Sequence, residues 1–359
     1  MRILALYLSR QYLKLFGFMV MAFVGIYSLF DFIEKVDNFT EAGVPTPTML
    51  SFFVLQVPEI TCLLAPMAVL MATIITLGMM GRNNEIVAIK ASGISMFRFT
   101  LPIVLISLAV SLLLALVNES VVPEAKARTN YIWDVLVEKR PGRLVAKENF
   151  WYKGHGSIYK VGFYDEKTQS LSKVSYYQFD KKFQVTRRVD ARRARFLGGD
   201  WVFFSGLYQE RLPDGTFSGV PFDERALKLP EKPGDFSRLS KPSEEMSLAE
   251  LASYVRKVEQ EGYDSTRYRV DLMAKISFPF VCLIMALLGV PLALLSERKE
   301  SLAPAMVIGM GAAVFYWISF SYIRSLFGYS GVLPPVVAAW LPNAVFGLAG
   351  LWMFSHVKQ

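Results

Sequence analysis

VPEITCLLAPMAVLMATIITLGMM, residues 57–80, runs directly into GRNNEIVAIKASG, residues 81–93. After Glu59 the first stretch carries no charge as far as residue 80. About 20 apolar residues cross a hydrocarbon core, so 60–80 predicts a membrane span. The second stretch is short, polar at its start and closed by a glycine, and the next apolar run begins near residue 97. It has the pattern of a helix of about two turns, with no room to belong to a soluble domain. The fold turns on this pairing of a span with a short amphipathic helix.

The rest of the chain agrees with a membrane protein. It has 359 residues, of which 53% are hydrophobic, 14% aromatic and only 19% charged, with a mean hydropathy of +0.34. That composition excludes a disordered chain. Six runs are long enough to span: about 15–36, 49–80, 97–118, 271–295, 302–323 and 333–355. The second exceeds one simple span and holds Gln56, Pro58 and Glu59, so 49–58 is read as an outer approach and 60–80 as the span. The first is no cleavable signal, because Asp31, Glu34 and Asp37 follow it where a small-residue cleavage site would stand. Cys62 and Cys282 lie within apolar spans and read as small buried hydrophobes, with neither a disulfide nor a metal site expected.

Basic residues in short loops set the orientation. Arg2, Arg10, Lys14, Arg82, Lys90, Arg98, Arg298, Lys299 and Lys358 fall on one side, against Lys35 and Arg324 on the other. The first side is read as cytoplasmic, with both termini there. Residues from about 120 to 266 are then outside. The net charge of +8 needs no nucleic acid to explain it.

The expected plan is an α-helical membrane protein of six transmembrane helices, with an all-β domain, a sandwich or jelly roll on the outer side, inserted between helices 3 and 4. Residues 1–119 hold helices 1–3 and the short helix 83–93. Residues 120–140 extend helix 3, 141–240 form the β domain, 241–266 a helical linker, and 267–359 helices 4–6. Within 141–240 the pattern turns to period two in GSIYKVGFY, LSKVSYYQF, KFQVTRRV, RARFL, DWVFFSGLYQE and GTFSGVPF. Short strands at such spacing suggest a sandwich or jelly roll. In the linker, Ser247 precedes Leu248 with Glu250 three residues on, a capping-box pattern.

Catalytic machinery is not expected. His155 and His356 have no Cys or His at ligand spacing, and neither a phosphate-cradling G-x-x-x-x-G-K-[ST] nor a G-x-S-x-G occurs. No cofactor is expected in this chain. More informative is the cluster Asp31, Glu34, Lys35, Asp37 and Glu41 at the outer end of span 1. Ionisable groups at membrane depth tend to face a bundle interior or a cavity. The cluster also suits the point where a helix leaves the bilayer, and Lys35 is within pairing reach of the carboxylates at 31 and 34. Pro58, Pro66, Pro102, Pro279, Pro291, Pro304 and Pro342 punctuate the spans, and GMGAA at 309–313 offers small residues for close helix contact.

In the short helix, Asn83 or Asn84 can cap the start, Glu85 sits in the first turn and Gly93 supplies the stop. Ile86, Ile89 and Gly93 would share a narrow face, with Val87 and Lys90 beside it. Such a helix can lie on lipid headgroups. It can also be a coupling helix, a rigid knob set in a groove of a cytoplasmic partner, as a membrane protein without its own ATPase would use to receive force.

NEIVAIKASG after TLGMM resembles the coupling segment of the lipopolysaccharide export permeases, the LptF/LptG family. VPEITCLLAPMAVLMATIITLGMM is similar to that family's second span, and Pro123 with EAKARTNY to the exit of its third. YDSTRYRVDLMAKISFP resembles the approach to its fourth span. GVLPPVVAAWLPNAVFGLAGLW resembles its last span, nearer the LptG member than LptF. The resemblance covers nearly the whole chain and rests on the order and spacing of these motifs.

It implies a permease subunit, without enzymatic activity of its own, of an ATP-driven exporter in the bacterial inner membrane. The exporter extracts lipopolysaccharide and passes it along periplasmic β-jellyrolls towards the outer membrane. The implied partners are an LptF-like second permease, two copies of an LptB-like cytoplasmic ATPase that bind the ATP and Mg, an LptC-like bitopic protein and an LptA-like periplasmic bridge. Glu85 matches the acidic residue of the family's coupling helix, with Ile86, Val87, Ile89 and Lys90 beside it. Where the family places basic residues against lipid A phosphates, this chain has Glu34 and Glu41. Lys35, Asp37, Arg128, Tyr322 and Arg324 are the candidate substrate-binding residues. A membrane-anchored envelope scaffold, or a permease for another envelope lipid, is the alternative reading.

Overall fold

The computed structural model describes residues 2–139, 150–154, 156–165, 168–180, 183–197, 199–212, 215–233, 242–260, 264–295 and 302–356. The expectations for 141–149, His155, Arg298, Lys299 and Lys358 fall outside them.

Six helices are long and apolar enough to cross a membrane. Helix α1 (Arg2–Ala42) overshoots the expected 15–36 at both ends. At about 1.5 Å per residue it is far longer than a hydrocarbon core is thick. Gly43 stops it at φ 72°, with Gly43 N–H bonded to the Thr40 carbonyl and Val44 N–H to that of Phe39, both at 3.1 Å. Helix α2 (Thr46–Arg82) is one continuous helix, so the expected outer approach and span are a single element. Pro58 and Pro66 lie inside it, tolerated because neighbouring helices can compensate for the lost donors.

Helix α2 is the core of the bundle. In its most apolar stretch 72% of residues are buried within the chain, against 6% for α1. It packs against the fourth span, which joins α7 (Thr266–Ser277), a 3-10 turn at Phe278–Phe280 and α8 (Val281–Leu295). The span begins earlier than the expected 271. Helices α4 (Met96–Ser120), α9 (Ala303–Tyr322) and α10 (Pro335–Ser355) complete the six. Within GMGAA it is Gly309 that permits close approach: a Cβ there would fall 2.4 Å from Ile74 Cδ1 on α2, whereas Gly311 faces open space. Buried polar groups are tied across helices: Tyr12 to Ser107 at 3.0 Å, Tyr316 to Asn343, and Asn343 to the Ser277 carbonyl at 2.8 Å.

Between α2 and α4 lies α3 (Glu85–Ala91). The first and last helices reach the same end of the bundle. Tyr7 on α1 reaches Glu85 at 3.4 Å, and Phe97 stacks edge-on against Phe354 near the end of α10 at 5.8 Å. At the opposite end α4 continues into α5 (Val122–Tyr131), a π-helical turn at Ile132–Val137 and then the strands.

The strands β1 (Phe150–Lys153), β2 (Ser157–Asp165), β3 (Ser170–Phe179), β4 (Val185–Leu197), β5 (Asp200–Arg211) and β6 (Phe217–Leu227) lie in chain order between the third and fourth spans. They form one antiparallel sheet with each strand paired to its chain neighbour. This is a meander, and the crossed connections of a jelly roll are absent among the described residues. Strand number and spacing are common to both arrangements, so period-two patterning could not separate them. The expected runs KFQVTRRV and RARFL are one strand, β4, and FWYK adds β1.

Register aligns one face. Tyr152, Tyr159, Tyr176, Val189 and Tyr208 stand opposite one another across five strands and are all buried. Residues 228–233 cross this face. Trp201 Nε1 donates to the Glu231 carbonyl at 2.8 Å, Tyr164 to the Pro233 carbonyl at 3.0 Å, and Tyr159 to the Glu231 carboxylate. Burial pushes the Tyr159 hydroxyl well above its ordinary pKa, and the Glu231 charge adds to this. Helix α6 (Leu248–Gln260) leads back to the bundle. Its capping box forms as expected: Glu250 N–H donates to Ser247 Oγ at 3.1 Å, and Ser247 N–H to Glu250 Oε2 at 3.0 Å.

Candidate functional site

Two places combine exposed or cavity-lining chemistry with a built scaffold, one at each end of the bundle.

The first is α3. Its C-terminal stop is a Schellman motif: Gly93 takes φ 73°, Gly93 N–H bonds the Lys90 carbonyl at 3.0 Å, and Ile94 N–H that of Ile89 at 3.4 Å. Its start departs from expectation. Asn84 adopts a left-handed conformation at φ 60°, and neither Asn83 nor Asn84 caps the helix with its side chain. Asn83 instead donates to Glu85 Oε1 at 3.3 Å, alongside Tyr7. Ile86 and Ile89 are buried in the bundle core beside Met80 and Met96. Val87 is 57% exposed, and Arg82, Asn83, Asn84, Ala88 and Ala91 are exposed with it, while Glu85 and Lys90 are half-buried. Of the expected coupling residues, the two isoleucines anchor the helix to its own chain. The outward surface belongs to Val87 and its neighbours.

The second is a chamber at the opposite end, between α1, α2 and α5, of about 340 Å³. Lys35 and Lys126 line it, with Gln56, Glu59, Tyr27 and Trp133. Lys126 Nζ donates to both oxygens of Glu59, at 2.6 and 2.8 Å. Lys35 Nζ is 2.5 Å from Asp31 Oδ1 and sits over the rings of Phe52 and Trp133 at 5.4 and 5.6 Å. Asp31 is buried, and its second oxygen Oδ2 has no hydrogen-bond partner among the described residues. The cluster at the end of span 1 therefore divides. Asp31 and Lys35 turn inward, whereas Glu34, Asp37 and Glu41 are exposed. Mutual neutralisation and a cavity, two of the readings open from sequence, hold together for Asp31 and Lys35.

Leu63 lines both this chamber and an apolar recess of about 250 Å³ between α2, α8 and α9, walled by Met67, Met285, Val314 and Trp317. Two cations thus line a chamber that shares a wall, at Leu63, with an apolar space.

The other expected binding residues are elsewhere. Arg128 is exposed and pairs with Glu124 one turn away at 2.6 Å. Tyr322 is 62% exposed. Arg324 is held by buried Asp271 at 3.0 Å and by Tyr329 at 2.8 Å. Ser243 donates to the other oxygen of Asp271 at 2.5 Å, so this network clasps the returning linker onto the fourth and fifth spans. Lys126 was missed in the sequence, although it lies in the same KARTNY stretch as Arg128. The signal available was Glu59, a lone charge inside a span that needs a partner.

A family profile described as "Lipopolysaccharide export system permease LptF/LptG" matches residues 6–356. The chain belongs to this family. It is 24% identical to the lipopolysaccharide export system permease protein LptG of Escherichia coli strain K12, over 95% of this chain and 96% of that protein. It is 20% identical to the LptG of Haemophilus influenzae, over 98% of each. Family membership spans all six helices and the sheet together, so the two candidate sites belong to one permease-type chain.

Proposed function

We propose that this chain is the transmembrane permease subunit of an ATP-driven exporter that extracts lipopolysaccharide from the inner membrane and passes it towards the outer membrane. The observation that supports this reading is the adjacency, across Leu63, of a lysine-lined chamber and an apolar recess. Lys35 and Lys126 meet headgroup phosphates with the ammonium donors that Asp31 and Glu59 leave unused, and acyl chains enter the recess. Both carboxylates keep their lysines, so no buried charge is left unpaired. Arg128, Asp37 and Tyr322 are exposed and do not line the chamber, and Arg324 holds the returning linker through Asp271.

Both termini and α3 lie in the cytoplasm, as the basic short loops favour, and the sheet lies in the periplasm as the family's β domain. Two LptB-like ATPase subunits bind ATP and Mg and drive the pair formed with an LptF-like permease. LptC-like and LptA-like proteins continue the path. The chain itself performs no chemistry. The ATPase seats on Val87, Ala88 and Ala91 with Glu85 at the edge, and Ile86 and Ile89 carry its motion into the core.

Val87→Glu tests this seat without touching the core. It is expected to lower co-purification of the ATPase by about tenfold or more, as an uncompensated charge in an interface does, while the permease stays folded. Full retention of the ATPase would remove α3 from the coupling surface.

A further inference from the structure

A second cavity, of about 230 Å³, lies between α4 and the fourth span, and it shares no lining residue with the chamber. Its rim carries Asn118, Glu119 and Lys275. Its floor is apolar, with Leu112, Ala115, Ile276 and Phe280. Leu112, Leu113 and Leu116 beside it are 54–66% exposed, an outward apolar face on a span.

The rim charges are opposite but do not close on each other. Lys275 Nζ donates to the Met246 carbonyl at 2.8 Å, which leaves two of its three donors. Glu119 Oε2 accepts from Leu248 N–H at 2.5 Å, and Oε1 has only a long contact of 3.5 Å to Ala249 N–H. Glu119 is near enough for its charge to act on Lys275, yet no ion pair joins them among the described residues. Asn118 adds a half-buried amide at the same level. A site with one cation, one anion and an apolar floor open to the bilayer is complementary to a headgroup that itself carries one charge of each sign.

We propose that this seam holds one bilayer phospholipid with a zwitterionic phosphoethanolamine headgroup. Its phosphate sits on Lys275 and Asn118, its ammonium on Glu119 and its acyl chain along Leu112, Ala115 and Phe280. A multiply anionic lipid is disfavoured here because Glu119 opposes a second negative charge. The lipid binds where Glu119 and Lys275 anchor the start of α6, so it also fixes the linker leading out of the sheet.

Native mass spectrometry of the purified full-length protein, titrated with phosphatidylethanolamine or phosphatidylglycerol, tests this. Phosphatidylethanolamine is expected to bind about tenfold tighter than phosphatidylglycerol, the scale of one charge-assisted hydrogen bond. Lys275→Gln should lower its binding by about tenfold, Glu119→Gln should erase the preference, and Ala115→Phe should weaken both lipids. Equal binding of the two lipids to the unaltered protein, or unchanged binding to Ala115→Phe, would overturn the proposal. A photoreactive phosphatidylethanolamine supplies a check on the unaltered protein. Label on 111–119 or 275–280 supports the site. Label only elsewhere overturns it.

Discussion

Lys126 and Glu59 show how a single pairing organises the chamber. Glu59 is the first charge met from the outer side of an otherwise apolar stretch, and Lys126 crosses from α5 to neutralise it at 2.6 Å. Lys126→Met leaves that carboxylate unpaired and is expected to cost about 1–3 kcal/mol. Adding Glu59→Gln should restore most of the loss, and thermal unfolding of the four variants in detergent measures the coupling. In the sheet, burial raises the Tyr176 hydroxyl to about 12, with the Glu231 charge contributing. A raised pKa stabilises the fold fully below the unfolded tyrosine value near 10, and that contribution is lost as pH rises towards about 12. The sheet is therefore expected to unfold across that alkaline window, followed by tyrosinate absorbance and circular dichroism, and Tyr176→Phe should shift the transition upward. Individual residues were the least legible part of the sequence. Lys35 could be named because it stands among acidic neighbours on its own helix, whereas the partner of Lys126 is 67 residues away.

At the scale of elements, sequence patterning succeeded where local chemistry decides. The capping box of α6 and the glycine stop of α3 formed as read, because each is closed by backbone and side-chain groups within a few residues. It fell short where tertiary packing decides. Ile86, Val87 and Ile89 are equally apolar in sequence, but only the isoleucines are buried, and the contacts with the bundle that bury them are not written in seven residues of α3. The two faces make separable predictions. Ile86→Ala removes a fully buried side chain and should cost about 2–5 kcal/mol, lowering the unfolding temperature of the permease alone. Val87→Glu should leave that temperature unchanged and act only in the presence of the ATPase. The jelly roll was expected from strand number and spacing, which do not encode strand order. The hairpin connections produce a meander whose aromatic face is covered by residues 228–233.

For the whole molecule, six spans and an intervening β region were legible because hydropathy over about 20 residues and period-two alternation are strong signals. The arrangement of those spans was not. Nothing in the apolar runs distinguishes α2, which is mostly buried within the chain, from α1, which is mostly exposed outside it. The inward side of α1 brings Lys35 to the chamber with Asp31 paired to it, and the buried α2 runs from the chamber wall towards α3 as one continuous helix. The proposed coupling therefore has one rigid element, α2, between α3 and Gln56, Glu59 and Leu63. A photo-crosslinking residue placed at Leu63, in the complete complex reconstituted with lipopolysaccharide, reads both ends of this linkage at once. The account predicts a lipopolysaccharide adduct that ATP depletes, and that persists under ATP when Val87→Glu is present. Absence of the adduct, or an adduct that ATP leaves unchanged in the unaltered complex, would contradict it.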